Sequence, residues 1–196
     1  MKPLPILFTA LWLVSRTLGL EVTAAPPGGT TVLGAGSLER FQVSGARSGQ
    51  ATAALTDLTC QPLSRVWRLE TIQQPADPWK FQLQTVGVTP VTRGDTLWAR
   101  FLLRCSASRN ETGEGQLTFV FETADTEHVK SIDITVGAGA EWREFCFPFS
   151  SRSTLAAGGS QISIRAGFRP QTIEIGGIEV VNYGTERKLE SLPRTG

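Results

Sequence analysis

Carboxylates beside a lone histidine are the side chains of this sequence best suited to catalysis. They stand in the segment 122–128, which reads Glu-Thr-Ala-Asp-Thr-Glu-His. Cleavage of a glycosidic bond uses two carboxyl groups that reach the same bond. Glu122 and Asp125 are three positions apart, so along a strand they point to opposite faces. Asp125 and Glu127 could share a face, but an acidic segment before the next strand pattern is typical of a solvated turn, which we predict here.

A nucleophilic site would have to use His128, the single histidine of the chain. The sharp Gly-x-Ser-x-Gly turn that exposes a catalytic serine does not occur in the sequence. We therefore predict that the chain is not an enzyme by itself and has no catalytic residue.

Three cysteines, Cys60, Cys105 and Cys146, are too far apart in the sequence for a zinc-binding pattern. In an exported protein one pair could form a disulfide, and Cys105–Cys146 is the candidate if their strands are neighbours. Burial of the thiols as small apolar groups is the alternative that we favour. No cofactor is predicted from these residues.

The nearly equal numbers of basic and acidic residues argue against nucleic acids and anionic membranes as partners. The chain has 196 residues, with 19 Lys+Arg against 18 Asp+Glu and a formal net charge of +1. No basic run provides the concentrated positive surface that nucleic acids or anionic membranes require. The length suffices for one domain with a core, and the 20 glycines and 11 prolines favour a turn-rich protein of short strands.

The N-terminus has the pattern of a signal peptide. Lys2 precedes an apolar stretch, Leu4–Val14, which is shorter than a membrane-spanning helix and ends before Arg16. Small residues near Ala24 favour cleavage there, so that residues 1–24 are removed and the protein is secreted or periplasmic, with no membrane attachment. An uncleaved anchor is the competing interpretation. Residues 25–36, rich in proline and glycine, are predicted to be a flexible leader.

Residues 37–184 show alternating patterns in about nine segments, with no convincing helical period. We predict an all-β, jelly-roll β-sandwich of the galactose-binding-like type, followed by a tail or linker at 185–196. The segments are Leu38–Val43, Val66–Ile72, Trp79–Gln84, Asp95–Ser106, Gln116–Glu122, Val129–Val136, Trp142–Phe149, Gln161–Phe168 and Ile173–Val181.

The alternation also separates the two faces of each strand. Large apolar side chains, such as Phe101, Phe119 and Phe145, share the faces predicted to form the core. In the last strand the apolar positions change parity at Gly176-Gly177, which predicts a β-bulge. Trp67 and Trp79 are predicted to fill the edge of the core. The opposite faces carry tryptophan, arginine, glutamine and glutamate.

Several segments resemble CenC-type carbohydrate-binding modules, especially those N-terminal to the catalytic domains of family-ten glycoside hydrolases, the xylanases. The final segment, Phe168–Gly184, carries the most specific part of this resemblance. Weaker matches support it at Pro78–Leu83, Gly94–Phe101, Gly113–Glu122 and Glu141–Arg143. Together they extend over about residues 37–192. Such proteins usually continue into a catalytic barrel, whereas this sequence stops at Gly196.

The resemblance implies a noncatalytic module that binds a xylan-like polysaccharide, and a monomer is expected. Related modules often carry a structural calcium ion, to which Glu39 and Glu174 could contribute, although no cluster of ligands is apparent. The alternative function is a structural or protein-interaction β-sandwich.

We predict that sugar binds on a single sheet face opposite the core, where indole rings cover sugar C–H groups and polar side chains bond the hydroxyls. Trp98 and Trp142 could instead be packing residues, and the sequence does not decide which sheet is concave. The predicted binding residues are Gln82, Gln84, Trp98, Arg100, Arg104, Glu122, Trp142 and Arg165.

Overall fold

Two antiparallel sheets face each other in the computed structural model, which describes residues 22–59 and 62–195. The all-β sandwich expected from the sequence is confirmed, with eleven strands rather than nine. The strands are β1 (Thr30–Leu33), β2 (Gln42–Ser44), β3 (Ala51–Asp57), β4 (Arg65–Thr71), β5 (Gln82–Val86), β6 (Thr96–Ser108), β7 (Gly115–Thr123), β8 (Lys130–Ala138), β9 (Arg143–Ser150), β10 (Ser160–Arg165) and β11 (Gln171–Asn182).

The eleven strands are divided between the two sheets. The first layer, sheet A, has the order β3-β4-β11-β6-β9, and β1 also pairs with β11. The second layer, sheet B, has the order β2-β5-β10-β7-β8. Three short 3₁₀ turns, Leu38–Arg40, Pro78–Lys80 and Leu189–Ser191, are the helical segments of the described chain. None of the helical segments within these ranges is long and apolar enough to cross a membrane.

Aromatic rings from both sheets meet in the core. The ring of Phe101 on β6 stacks on Phe119 of β7 and Phe145 of β9, with centroid distances of 5.7 and 5.4 Å. Phe121 and Phe149 form a second inter-sheet pair at 5.4 Å. The alternation also predicts these core positions, which are buried: Leu97, Ala99, Phe101, Leu103, Cys105, Leu117, Phe119, Phe121, Phe145, Phe147, Phe149, Ile162, Ile164 and Ala166. Phe168, predicted to face the core on the same strand as Ala166, is only half-buried, because β10 ends at Arg165.

The predicted bulge in the last strand is confirmed. The β11–β6 register shifts between Gly176 and Glu179, and Gly177 adopts φ 60°, a conformation that favours glycine. The extra residue keeps Ile175 and Ile178 both in the core, although one is at an odd and the other at an even position.

Two strands, β1 and β3, were not predicted from the sequence. Residues 30–33, expected within a flexible leader, form β1. Their backbone pairs with the C-terminal part of β11, and the side chains of Val32 and Leu33 are buried in the core. The segment 51–57, whose side chains are mostly small, forms β3 against β4. Conversely, the first predicted strand is divided into the 3₁₀ turn at Leu38–Arg40 and the short β2.

The acidic segment after β7 forms the predicted turn. The Thr123 hydroxyl donates to Asp125 Oδ1 at 2.5 Å, and the backbone N–H groups of Glu127 and His128 donate to the same oxygen at 3.0 and 3.3 Å. These hydrogen bonds, chiefly the one from Thr123, lower the pKa of Asp125. Asp125 is therefore a structural cap of the turn.

Cys105 and Cys146 are free thiols in the structure. Their strands, β6 and β9, are neighbours, as a bridge would require. However, Cys105 belongs to the core between the sheets, whereas Cys146 belongs to a small cluster on the outer surface of sheet A. The two side chains therefore project in opposite directions, and no bridge can form between them. Cys60 and most of the predicted signal peptide, residues 1–21, lie outside the described residues.

We expect neither Cys105 nor Cys146 to react with iodoacetamide at neutral pH until the protein is unfolded. Burial raises the pKa of both thiols, that of Cys146 to about 11, so little reactive thiolate is present. Because the folded-state pKa is raised, the stability contributed by the neutral thiol is full below the unfolded-state pKa and is lost as the pH rises towards 11. Mass spectrometry after alkylation with and without denaturant checks this, and a Cys105–Cys146 peptide pair in a non-reducing digest would contradict it.

Candidate functional site

The structure divides the predicted binding residues between two opposite surfaces. Gln82, Gln84, Glu122 and Arg165 lie on β5, β7 and β10, which are adjacent in sheet B. The other four lie on or beside β6 and β9, in sheet A: Trp98, Arg100, Arg104 and Trp142. The prediction of one shared face is therefore wrong. Alternation separates the inner from the outer face of each strand, but it does not say which sheet the strand joins.

The outer surface of sheet A around β6 and β9 is covered by the chain's own terminal segments. Trp98 is fully buried there, and its indole Nε1–H donates to the Pro193 carbonyl at 2.9 Å. Thr195 pairs through its backbone N–H with the Cys146 carbonyl at 3.0 Å. The residues predicted as a tail thus pack on the sheet, and Trp98 cannot contact a ligand without their removal.

The N-terminal segment covers the neighbouring part of the same surface. The Thr23 backbone N–H and hydroxyl donate to the two carboxylate oxygens of Glu144 at 2.9 and 2.6 Å. Arg100 donates to the Thr23 carbonyl at 2.7 Å and pairs with Glu179 at 3.0 Å. Thr23 belongs to the predicted signal peptide, so its contacts with Glu144 and Arg100 exist only in the uncleaved chain. The ion pair between Arg100 and Glu179 does not depend on that segment, and it keeps Arg100 a structural residue.

Arg104 and Trp142 also belong to a structural network. The carboxylate of Glu174, only 3% exposed, lies 2.6 Å from the Arg104 guanidinium and 3.5 Å from that of Arg68. The same Arg104 guanidinium lies over the Trp142 ring, 4.7 Å from its centroid. Arginine contacts also occupy the two residues considered for calcium, since Glu39 bonds Arg65 at 2.7 Å. Within the described ranges no three side chains of metal-ligating type come together.

The outer surface of sheet B, in contrast, holds an open groove. One depression of about 400 Å³ is lined by side chains from β5, β7, β8 and β10. A second, of about 230 Å³, continues from it to β2, and Gln84 and Gln161 line both. We call the combined depression the amide groove; its lining residues include Trp79, Gln82, Gln84, Glu122, His128, Lys130, Gln161 and Arg165, with Arg40 and Gln42 at the β2 end.

The pairing of the strands in sheet B brings these side chains to the same surface. Gln84 lies between Gln42 of β2 and Ser163 of β10, and Gln161 lies beside Glu122 of β7. Directly paired residues of neighbouring strands project to the same side of a sheet. Gln161 and Ser163 are two positions apart on β10 and share a face, so four neighbouring strands present polar side chains in two adjacent rows on the same side of the sheet.

Hydrogen bonds fix the floor of the amide groove. Glu122, only 2% exposed, accepts from Gln161 Nε2 at 3.1 Å and from Arg165 Nη2 at 3.4 Å. Arg165 Nη1 also lies 3.5 Å from Asp133, which pairs with Lys130 at 3.1 Å. These partners compensate the cost of burying the Glu122 carboxylate and hold the arginine and glutamine in place.

Two buried polar atoms of the groove have no hydrogen-bond partner among the described residues. They are Gln82 Oε1, an acceptor, and Arg165 Nε, a donor. A buried polar atom without a partner costs about 1–3 kcal/mol. Gln82 Oε1 needs a donor and Arg165 Nε needs an acceptor, and a hydroxyl, which both donates and accepts, can partner either atom once its side chain turns towards the groove.

Trp79 is an aromatic residue at the rim of the amide groove, and its position differs from the predicted one. It was expected at the core edge beside Phe81, but its side chain is 47% exposed at the rim. Pro78 begins the 3₁₀ turn Pro78–Lys80, which breaks the alternation, so β5 begins only at Gln82. The Asp-Pro pair before Trp79 was the signal that a turn, and not a strand, contains this residue. Trp67, by comparison, is buried as predicted.

No protein-family model and no curated protein matches this chain. Among solved structures, a CBM4 structure aligns with a TM-score of 0.54 at 15% identity, covering 78% of this chain and 94% of the other. The CBM22-1 xylan-binding domain of Xyn10C from Paenibacillus barcinonensis aligns with a TM-score of 0.53 at 9% identity, covering 82% and 99%. The N-terminal cellulose-binding domain of β-1,4-glucanase C from Cellulomonas fimi gives 0.53 at 14% identity, covering 85% and 100%. This chain therefore shares its β-sandwich fold with carbohydrate-binding modules.

Proposed function

We propose that this chain is a noncatalytic, monomeric carbohydrate-binding module that binds a xylan-like polysaccharide in the amide groove. We further propose that it works outside the cytoplasm with glycoside hydrolases, as the resemblance to CenC-type modules implies. The observation that carries this proposal is the two adjacent rows of polar side chains across sheet B, where Gln82 Oε1 and Arg165 Nε are buried without a hydrogen-bond partner in the described part of the chain.

The chemistry of the groove suits a neutral sugar chain. Amide groups of Gln82, Gln84 and Gln161 can both donate to and accept from hydroxyls. The exposed face of Trp79 can cover the apolar C–H side of a sugar ring. Specificity in such sites comes from a few placed polar groups beside an apolar surface, which is the combination found here.

The length of the groove favours a chain over a single sugar unit. Its lining side chains come from all five strands of sheet B. Neighbouring strands are about 4.8 Å apart, so five strands span about 19 Å. Support for a polysaccharide ligand also comes from the shared fold, since two of the similar structures are xylan-binding and cellulose-binding domains.

A depletion assay against insoluble xylan, cellulose and mannan tests the proposal. We expect xylan to remove the purified protein from solution and the Trp79→Ala variant to bind about tenfold more weakly or worse, because a Trp contact at the centre of a site often carries 2 kcal/mol or more. Trp142→Ala is the matched control, since this indole lies on sheet A against Arg104. Retained binding by Trp79→Ala, or loss only in a folded Trp142→Ala, would refute the groove; no binding to any of the three polymers would favour the protein-interaction alternative.

A further inference from the structure

A second cavity lies at the edge of the sandwich, beside one end of the amide groove. Its volume is about 390 Å³, within the range of about 300–1,000 Å³ that small-molecule sites occupy. It is formed by the loop between β2 and β3 and the loop between β4 and β5. Lys80 lines this cavity, whereas the preceding residue, Trp79, lines the groove. We call it the edge pocket.

Backbone contacts hold the two loops of the edge pocket together. The Gln50 carbonyl accepts from the backbone N–H groups of Ile72 and Gln73 at 2.8 and 3.0 Å. Gly45, at φ 81°, packs directly on the Lys80 carbonyl, where a Cβ atom would lie only 1.6 Å from that oxygen. The close approach requires glycine and fixes the spacing of the walls, so the cavity is formed before any ligand binds.

The edge pocket has a positive lining. Arg47 and Lys80 are its ionisable lining residues, and both are exposed. Among residues 22–59 and 62–195, no carboxylate pairs with either side chain. The remaining polar lining consists of the amides of Gln50, Gln73 and Gln74, and Phe81 provides an apolar wall.

This combination differs from that of the amide groove. There, Arg165 and Lys130 have carboxylate partners, Glu122 and Asp133. In the edge pocket, Arg47 and Lys80 have no carboxylate partner in the described part of the chain, and this local excess of positive charge attracts anions. The guanidinium fork of Arg47 and the ammonium of Lys80 suit an oxyanion, and the three amides suit hydroxyls.

We propose that the edge pocket binds an acidic sugar unit, one that carries a carboxylate or a sulfate ester, with the anion between Arg47 and Lys80. This inference rests on the proposed carbohydrate-binding function and extends it. A polysaccharide in the amide groove would present such a unit, as a side group or chain end, past Trp79 to the neighbouring pocket.

Titrations followed by amide NMR shifts test the inference with four probes: glucuronic acid, glucose 6-sulfate, glucose and inorganic sulfate. We expect one or both acidic sugars to shift the Gly45, Gln50 and Gln74 amides and to bind more tightly than glucose and inorganic sulfate. The sugar that binds identifies the anion. The double variant Arg47→Gln/Lys80→Gln should bind it at least about tenfold more weakly, because hydrogen bonds between charged groups are lost.

The double variant Arg93→Gln/Lys188→Gln is the control, since it removes one exposed arginine and one exposed lysine away from the edge pocket. It should bind the acidic sugar like the parent. The inference is overturned if inorganic sulfate binds as tightly as the sugars, if the acidic sugars shift only groove amides, or if the Arg47/Lys80 variant binds normally. Binding of a neutral xylo-oligosaccharide by the Arg47→Gln/Lys80→Gln variant distinguishes failure of this inference from failure of the proposed function. If only the inference fails, the neutral oligosaccharide still binds; if the proposed function fails, it does not bind.

Discussion

Replacing Phe101 with alanine should lower the free energy of unfolding by about 3–5 kcal/mol, the usual cost of removing a buried phenylalanine ring. Phe101 is fully buried in β6 and contacts rings from both sheets. Phe119 lies opposite Phe101 across the core, on sheet B. Phe145 is paired with Phe101 on the neighbouring strand of sheet A. Truncation therefore leaves a cavity where the two layers are joined, and the surrounding strands cannot close it without moving apart from their hydrogen-bonded partners.

Urea unfolding followed by tryptophan fluorescence measures this loss. Val88→Ala is the control, because Val88 is 46% exposed and its truncation should change stability by less than about 0.5 kcal/mol. A loss below about 1 kcal/mol for Phe101→Ala would mean that the aromatic cluster does not hold the sheets together as described.

The second large effect is expected for Glu174→Ala. Its buried carboxylate lies between Arg104 and Arg68, and the substitution removes the negative charge that lies 2.6 Å from the Arg104 guanidinium. Breaking a fully buried ion pair costs about 3–5 kcal/mol, and we expect about 2–3 kcal/mol here because both arginines retain access to water. The contact between Arg104 and the Trp142 ring would remain, so the loss of unfolding free energy measures the removal of the Glu174 carboxylate.

Glu39→Ala provides the comparison: Glu39 lies in the 3₁₀ turn Leu38–Arg40 and pairs with Arg65 of β4, on the same sheet as Glu174. The Glu39–Arg65 pair has the same close geometry, 2.7 Å, but both side chains are about half exposed. Such a pair is worth less than about 1 kcal/mol. Equal losses for the two variants in urea unfolding would contradict the structural role assigned to the Glu174 network.

Most of the core could be predicted because alternation is a local property. Phe119 and Phe121, for example, are two positions apart and must share a face in any strand. The bulge at Gly176-Gly177 was predictable for the same reason, since the change of parity is visible within one segment. Strand β3 was not predictable, because its run of alanine and threonine has few large apolar residues to mark an inner face.

The candidate site was predicted only in part because its assembly depends on long-range pairing. Gln82 and Arg165 meet because β5 pairs with β10, although they are far apart in sequence. Nothing in the alternation of β6 shows that Trp98 lies beneath the segment 192–195, which covers it from the other end of the chain. Trp79 was missed for a local reason, the 3₁₀ turn that begins at Pro78.

We propose that the outer surface of sheet B, and not that of sheet A, binds polysaccharide. A map of backbone-amide NMR shifts on addition of a soluble xylo-oligosaccharide tests it most directly. We expect the largest shifts at Gln84, Glu122 and Gln161, which lie side by side in the amide groove, and little change at Arg104 or Glu174. Shifts concentrated on β6, β9 and β11, with the groove amides unmoved, would contradict the assignment.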